Sequence, residues 1–368
     1  MRQLQFDDIG PEKILEVYDP KTKMHGFTVI DNTRLGPGKG GIRMTSDISV
    51  DEVASLARAM TWKNALAELP FGGTKSGIVM DSKTLSKQQK KAIVEAFARA
   101  LRQVCPSIYV AGPDMYMGEE EMGWFAKANG SLKSCTGKPA RMKGIPHELG
   151  STGYGVYHAT LVAAKHIGLD IKKARVAIEG FGNVGTFAMK FLTEAGAKVV
   201  AVSDSKGCIY NKFGIDYEKL EAVKKRTGSV VNYTGQALAS NAIVGVDADI
   251  LIPAAKPDVI NEANKASVKA KIIVEGANIP MMPSIGEEFH KRGILVVPDI
   301  IANAGGVISS YVEWKGGKAK DVFPMVEKRI VKNVKEILRQ AEKQHMSPRT
   351  AALEIAQERV KRGTWKAR

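Results

Sequence analysis

Four ionisable side chains stand among glycines and apolar residues rather than on an ordinary charged surface. Lys39 lies in GPGKGGIRM, Lys63 and Lys75 lie in MTWKNALAELPFGGTKSG, and Asp114 lies in AGPDMYM. Such a grouping suits a site that holds a small anion while keeping water away. A lysine set among glycines, as Lys75 is, sits where backbone packs closely, and a partly desolvated amine there is available as a general base or to activate water. Lys63 is placed to bind a carboxylate, and Asp114, after Pro113 in an otherwise apolar loop, is a candidate proton shuttle. For any one of these the ordinary alternative also stands: lone lysines are usually solvated and a loop aspartate is often a cap.

A second signal is Gly180-Phe181-Gly182-Asn183-Val184-Gly185. It follows an apolar strand, opens a helix and precedes a second strand ending near Asp204, which is the context a dinucleotide fingerprint requires. Gly180 permits the tight turn, Gly182 lets a pyrophosphate approach the backbone, and Gly185 allows close helix-to-strand packing at a helix N-terminus that favours negative charge. Asp204 stands where an acidic side chain reaches a ribose hydroxyl and disfavours a 2′-phosphate, whereas Lys206 can pair with one. Ser203-Asp204-Ser205-Lys206 is therefore compatible with NAD or NADP.

The elements that must position these groups are legible in outline. Ser49 and Glu52 have capping-box spacing ahead of Val53, Leu56, Ala57 and Met60, which share one helical face; that helix carries Lys63 near its C-terminal end. Ser86 with Gln89 starts a second helix, with Ala92, Ile93, Phe97 and Leu101 as its buried stripe. Between them Gly72 to Gly77 read as a turn leading into a short strand at 78–80. From about Ser151 the pattern becomes helix 152–167, strand 175–179, helix 183–195 and strand 198–202, with further strands at 250–253, 272–274 and 294–297. That alternation builds a parallel sheet. Helices follow at 323–344 and 349–360. The expected fold is α/β: an N-terminal mixed α/β substrate-binding and oligomerisation domain over 1–150, a Rossmann-type doubly wound dinucleotide-binding domain over 151–334, and C-terminal helices, 335–368, returning to the first domain.

Composition excludes several classes. A chain of 368 residues exceeds what one core usually serves, and 44% hydrophobic with 25% charged residues is the make-up of a globular protein rather than a disordered one. No run approaches the roughly 20 apolar residues of a membrane span, and MRQLQFDDIGPEK lacks a signal-peptide core, so a cytoplasmic protein is expected. The three cysteines show no CxxC spacing and the six histidines no ligand spacing, so neither a disulfide framework nor a metal is expected, and each histidine reads as a satisfied structural residue. The net charge of +15 is spread thinly; its densest stretches, 87–91, 224–226 and 361–368, carry no aromatic-rich nucleic-acid motif. Neither nucleic acid nor membrane is an expected partner.

In order along the chain, GPGKGGIRM, AMTWKNALAELPFGGTKSG, GPDMYM, STGYGV, EGFGNVG, VEGANIP and PDIIANAGGVISSYVEW resemble the motifs of the glutamate/leucine/phenylalanine/valine dehydrogenase superfamily, from about Arg34 to Trp314. The resemblance implies reversible oxidative deamination of an L-amino acid to a 2-oxo acid and ammonia, with hydride passing to NAD or NADP. It implies that Lys63 binds the α-carboxylate, Lys75 activates the water that attacks the imine, and Asp114 exchanges protons with the amino group. Thr152 would contact the nicotinamide carboxamide, Asn278 and Asn303 would line the cofactor and substrate cleft, Gly40 and Gly41 would form the wall beside the substrate, and Asn183, Val184, Asp204 and Ser205 would belong to the cofactor site. Lys39, before GG, and Ser310, in VISSYVEW, resemble the glutamate-type members. A buried ammonium facing an alkyl side chain would be left unpaired at a cost of several kcal/mol, so Lys39 selects for a second carboxylate. Met44, Thr74, Ser76 and Glu148 depart from the commoner glutamate-type pattern, and the chain is shorter than is typical. The alternatives are the same reaction on a branched-chain or aromatic amino acid and a non-catalytic regulatory paralogue. The resemblance also implies a homo-oligomer, a hexamer in many members.

Overall fold

The computed structural model describes residues 4–146 and 149–363; Glu148 and His147 lie outside the described residues. The chain divides into two compact units, one made of the described parts of Met1–Leu149, Val307–Val322 and Ile355–Arg368, the other of Gly150–Gly306 and Phe323–Glu354.

In the first unit β1 (Lys13–Asp19), β2 (Met24–Asn32), β3 (Gly38–Thr45), β4 (Gly72–Val79) and β5 (Tyr109–Gly112) form a mixed sheet in the order β1-β2-β4-β3-β5. Its helices are α1 (Val50–Leu66), α2 (Lys87–Ala100) and α3 (Glu119–Asn129). Period-two alternation sorts the two faces. Met24, Ile42, Met44 and Ile78 join Phe97, Tyr109 and Phe125 in a buried core with α2 and α3. The opposite face meets α1, and there glycine is obligatory: a Cβ at Gly73 would lie 2.3 Å from Thr61 N, and one at Gly77 2.7 Å from Ile48 Cγ1. This corrects the sequence expectation. Gly72 to Gly77 are not a turn before a strand but the body of β4, stripped of side chains so that α1 sits almost on the backbone.

Both helix starts use their serines, by different means. Ser86 and Gln89 close a reciprocal capping box. Ser49 accepts from Glu52 N at 3.2 Å, but the Glu52 carboxylate takes Arg43 instead. Val53 and Ala57 are buried as expected, while Leu56 and Met60 are half-buried and Thr61 and Asn64 fill the buried face.

In the second unit α4 (Ser151–His166) precedes β6 (Arg175–Glu179), α5 (Asn183–Glu194) and β7 (Lys198–Asp204), followed by β8 (Gly207–Tyr210), α6 (Tyr217–Thr227), β9 (Gln236–Leu238), β10 (Ile250–Pro253), β11 (Ile272–Val274), α7 (Pro283–Lys291), β12 (Leu295–Val297) and α8 (Asp299–Ala302). The sheet runs β12-β11-β10-β6-β7-β8-β9. Five strands are parallel, and β8 and β9 add an antiparallel edge whose strands, four and three residues long, are too short to show a period in the sequence. The chain places β7 on one side of β6 and β10 on the other, so the end of β6 is a topological switch point, where open α/β sheets bind ligands.

Three helices complete the chain: α9 (Gly305–Trp314), α10 (Val322–Gln344) and α11 (Pro348–Arg362). The expected return of 335–368 is shorter than anticipated. Residues 335–354 group with the second unit, and 307–322 with the first. The cause lies partly in Arg349, whose guanidinium reaches Glu275 at 2.7 Å and Asp299 at 2.6 Å, both deeply buried. His158 also differs from expectation: its buried Nε2 has no hydrogen-bond partner, and Tyr154 and Tyr157 rings enclose it at 4.5 and 4.7 Å. All three cysteines are buried free thiols, and no described helix is long and apolar enough to cross a membrane.

The sheet geometry gives a direct test. A Cβ at Gly40 would lie 1.5 Å from the Thr74 carbonyl oxygen, so Gly40→Ala forces β3 from β4. It is expected to cost ~3 kcal/mol or more, seen as a lowered thermal midpoint; an unchanged melt contradicts that register.

Candidate functional site

The parallel register of β3 and β4, Lys39 with Gly73 and Ile42 with Ser76, sets Lys39, Gly41, Arg43 and Lys75 on the face that α1 covers. Gly41 is the space between the cations. A Cβ there would come 2.9 Å from Asp114 Cβ and 2.6 Å from Pro113 O, so its absence lets the loop after β5 lean in. Asp114 then receives Lys75 Nζ on one oxygen and Arg43 Nε on the other, the latter at 2.9 Å. Burial alone would raise the Asp114 carboxyl; the ammonium and guanidinium outweigh it and hold the group at about 2. Lys75 is 6% exposed. The pair is a preassembled proton donor and acceptor sheltered from bulk water.

Lys39 is 3% exposed, and its ammonium donates to Ala111 O at 2.8 Å. Burial pushes it down to about 7, opposed by nearby Cys135 and Glu313 and assisted by Lys138 and Lys75. Lys138 and Glu313 form a buried ion pair beside it, with Lys138 Nζ also on Cys135 O at 2.7 Å and Glu313 accepting from the backbone N–H of Gly137 at 3.0 Å and Ile145 at 2.9 Å. Thr136 Oγ1 is buried without a partner nearby. Ser310 is half-buried on α9, one turn before Glu313. Lys63 occupies the last turn of α1, whose C-terminal carbonyls of Ala65 and Leu66 accept from Arg359 at 3.1 and 2.9 Å. The first unit thus contains every sequence-derived substrate residue except Asn303.

Arg43, Lys138 and Glu313 were missed from sequence. Lys39, Gly41 and Arg43 alternate along one strand, a signal that was available; the pairing of Lys138 with Glu313, 175 positions apart, was not. Two departures have structural accounts. Ser76 links Thr28, at 2.9 Å, to Tyr109 at 3.1 Å, and the Tyr109 hydroxyl donates to Gly40 O at 3.2 Å. Met44 is core.

In the second unit Gly180, at φ +93°, packs against Ala255, and a Cβ at Gly185 would lie 1.8 Å from Gly180 O. Gly182 has nothing within 4 Å of its would-be Cβ, and the adjacent buried Asn183 Oδ1 lacks a partner. This open cradle at the N-terminus of α5, with Val184 in its first turn, fits a dinucleotide pyrophosphate. Asn303 Nδ2 donates to Asn278 Oδ1 at 3.0 Å and to the Ala277 and Gly276 carbonyls at 3.2 and 3.3 Å, so the two asparagines form one polar cluster. Thr152 lies in the first turn of α4, its hydroxyl 3.0 Å from where a Cβ of Gly306 would stand. Asp204 closes β7, and Ser205 follows it, exposed, in the turn before β8.

Residues 144–367 match Glutamate/Leucine/Phenylalanine/Valine dehydrogenase, and residues 11–130 match Glu/Leu/Phe/Val dehydrogenase, dimerisation domain. The chain belongs to this dehydrogenase family. Similar proteins include glutamate dehydrogenase of Aeropyrum pernix, 40% identical over 91% of this chain and 84% of that one, and NADP-specific glutamate dehydrogenase of Saccharolobus shibatae, 41% identical over 85% and 78%. Among solved structures, the hetero-hexameric glutamate dehydrogenase of Thermus thermophilus in a Leu-bound form superposes with TM-score 0.85 at 29% identity, covering 97% of this chain and 91% of that one.

Because Lys138 and Glu313 satisfy each other out of water, Glu313→Ala is expected to destabilise the first unit by ~3–5 kcal/mol. Glu313→Gln, which keeps the backbone contacts, is expected to cost less. Equal melting of both variants and wild type in a denaturant titration contradicts the pairing.

Proposed function

We propose that the chain catalyses the reversible oxidative deamination of L-glutamate to 2-oxoglutarate and ammonia, with a nicotinamide dinucleotide as hydride partner. The observation that carries this is Lys39: a buried ammonium with one backbone acceptor, set on the same sheet face as the Lys75–Asp114 pair. Such a cation retains donors for an anionic group and rejects an alkyl one. Relatives named as glutamate dehydrogenases support the same substrate.

Within the first unit Lys63 holds the α-carboxylate and Lys39 the second carboxylate, with Ser310 beside them; in the second unit Asn303 belongs with Asn278. Lys75, once its own proton has passed to the adjacent Asp114, takes the proton from the attacking water. Asp114 exchanges protons with the nitrogen, and Arg43, by sharing its charge, keeps it an anion between turnovers. Gly40 and Gly41 form a wall beside the ligand that is bare of side chains, because Thr74 and the Asp114 loop close directly on their backbone. The dinucleotide supplies hydride acceptance and donation when bound; Gly180, Gly182, Asn183, Val184 and Gly185 hold its pyrophosphate, and Thr152 and Asn278 its nicotinamide end. We assign residues 1–150 to substrate binding and assembly, the assembly being a homo-oligomer of hexameric type. Three buried free thiols suit a reducing cytoplasm.

Lys75→Ala is expected to lower kcat by at least about 10³-fold while leaving dinucleotide binding intact; normal turnover rejects the role. Lys39→Leu is expected to raise the KM for glutamate at least tenfold and to admit leucine, whereas exclusive leucine activity in the wild type overturns the substrate assignment. The sign of the pH effect follows from burial: Lys39 is charged below about 7 and neutral above it. The KM for 2-oxoglutarate should rise by up to about tenfold per pH unit above neutrality, and a flat profile places the second carboxylate elsewhere.

A further inference from the structure

Asp204, at the end of β7, occupies the position from which an acidic side chain in this fold takes the adenosine ribose hydroxyls. A carboxylate has about four acceptor sites. Here four donors hold them: Lys206 N at 2.8 Å and Ser229 Oγ at 3.3 Å on Oδ1, and Lys224 Nζ at 2.7 Å and Val230 N at 2.8 Å on Oδ2. The group is largely buried. Burial would raise its pKa, yet these donors hold it below the usual carboxylate range. Its backbone carbonyl is also taken, by Ser240 Oγ at 2.8 Å. Asp204 is thereby an internal tie between β7 and the turn that follows α6.

What that tie leaves facing outward is positive. Lys224 Nζ also reaches Gly228 O at 3.2 Å, and Lys206 Nζ lies 3.4 Å from where a Cβ of Gly228 would stand. Two ammoniums therefore converge on one glycine turn beside a single carboxylate. Lys225 is neutralised by Glu221 at 2.9 Å, Arg226 at the same helix end is exposed, and the exposed Ser205 adds a hydroxyl. One negative charge against three cations is a surplus suited to a phosphate dianion, and ill suited to a pair of neutral hydroxyls.

We infer that the chain prefers the 2′-phosphorylated dinucleotide, NADP, with Lys206 and Lys224 as the residues that read the 2′-phosphate and Asp204 as their anchor. This rests on the dehydrogenase reading, and the experiment separates the two. Binding of NADP+ and NAD+ to the intact protein is measured by calorimetry, with 2′,5′-ADP and 5′-AMP as probes of the adenosine end. NADP+ should bind at least tenfold tighter than NAD+, 2′,5′-ADP should bind where 5′-AMP does not, and the margin should shrink as salt rises. Lys206→Ala, which leaves every donor to Asp204 in place because only the Lys206 backbone is used, should weaken NADP+ about tenfold and leave NAD+ unchanged. Lys224→Ala should do the same, with a thermal melt to register the lost tie to Asp204. Equal or tighter binding of NAD+, or equal loss of both cofactors in Lys206→Ala, overturns this inference alone. Failure of both dinucleotides to bind overturns it together with the proposed reaction.

Discussion

A carboxylate shared by two cations, out of reach of bulk water, is the interaction on which the first unit is built. Asp114 bears the desolvation cost of its position only because Lys75 and Arg43 meet its two oxygens, and neither cation is in place unless β3 and β4 lie in their parallel register. Remove the carboxylate and two like charges face each other in a low-dielectric space. The same surroundings that make the cluster costly to assemble make it useful, since a proton moves between fixed groups with little solvent to reorganise.

Glycine makes the approach possible. Gly41 admits the Asp114 loop, while Gly73 and Gly77 admit α1 with Lys63 at its end. These positions look like a flexible loop in the sequence because glycine runs usually are. Here their role is steric, and the flexibility is lost once the helix and strand have closed on them. The lack of side chains on one face is offset by Ile42, Met44 and Ile78 on the other.

This explains how far the sequence could be read. The dinucleotide unit was legible almost strand by strand because βαβ units leave continuous apolar runs ending at a glycine turn; β10 and β11 begin and end at the expected residues. Its edge strands β8 and β9 are not, because four and three residues are too few to show an alternation. In the first unit the local setting marks out Lys39, Lys63, Lys75 and Asp114, yet the same glycines give β4 the look of a turn and only its alternation with Lys39 and Gly41 distinguishes Arg43. Lys138 and Glu313 lie so far apart in sequence that only folding joins them. Asp204 shows the reverse limit: its position in the motif suggested a ribose ligand, and its real partners, Lys224, Ser229 and Val230, come from an α6 turn that no local pattern connects to it.

The central claim is that Lys39 and Lys63 grip the two carboxylates of one substrate beside Lys75 and Asp114. A crystal structure of the protein soaked with 2-oxoglutarate tests this most directly. The account predicts one carboxylate within hydrogen-bond distance of Lys39 Nζ, the other on Lys63, and the keto carbon facing Lys75 and Asp114. A ligand held with either carboxylate away from these lysines, with Lys39 still bound only to Ala111 O, would contradict it.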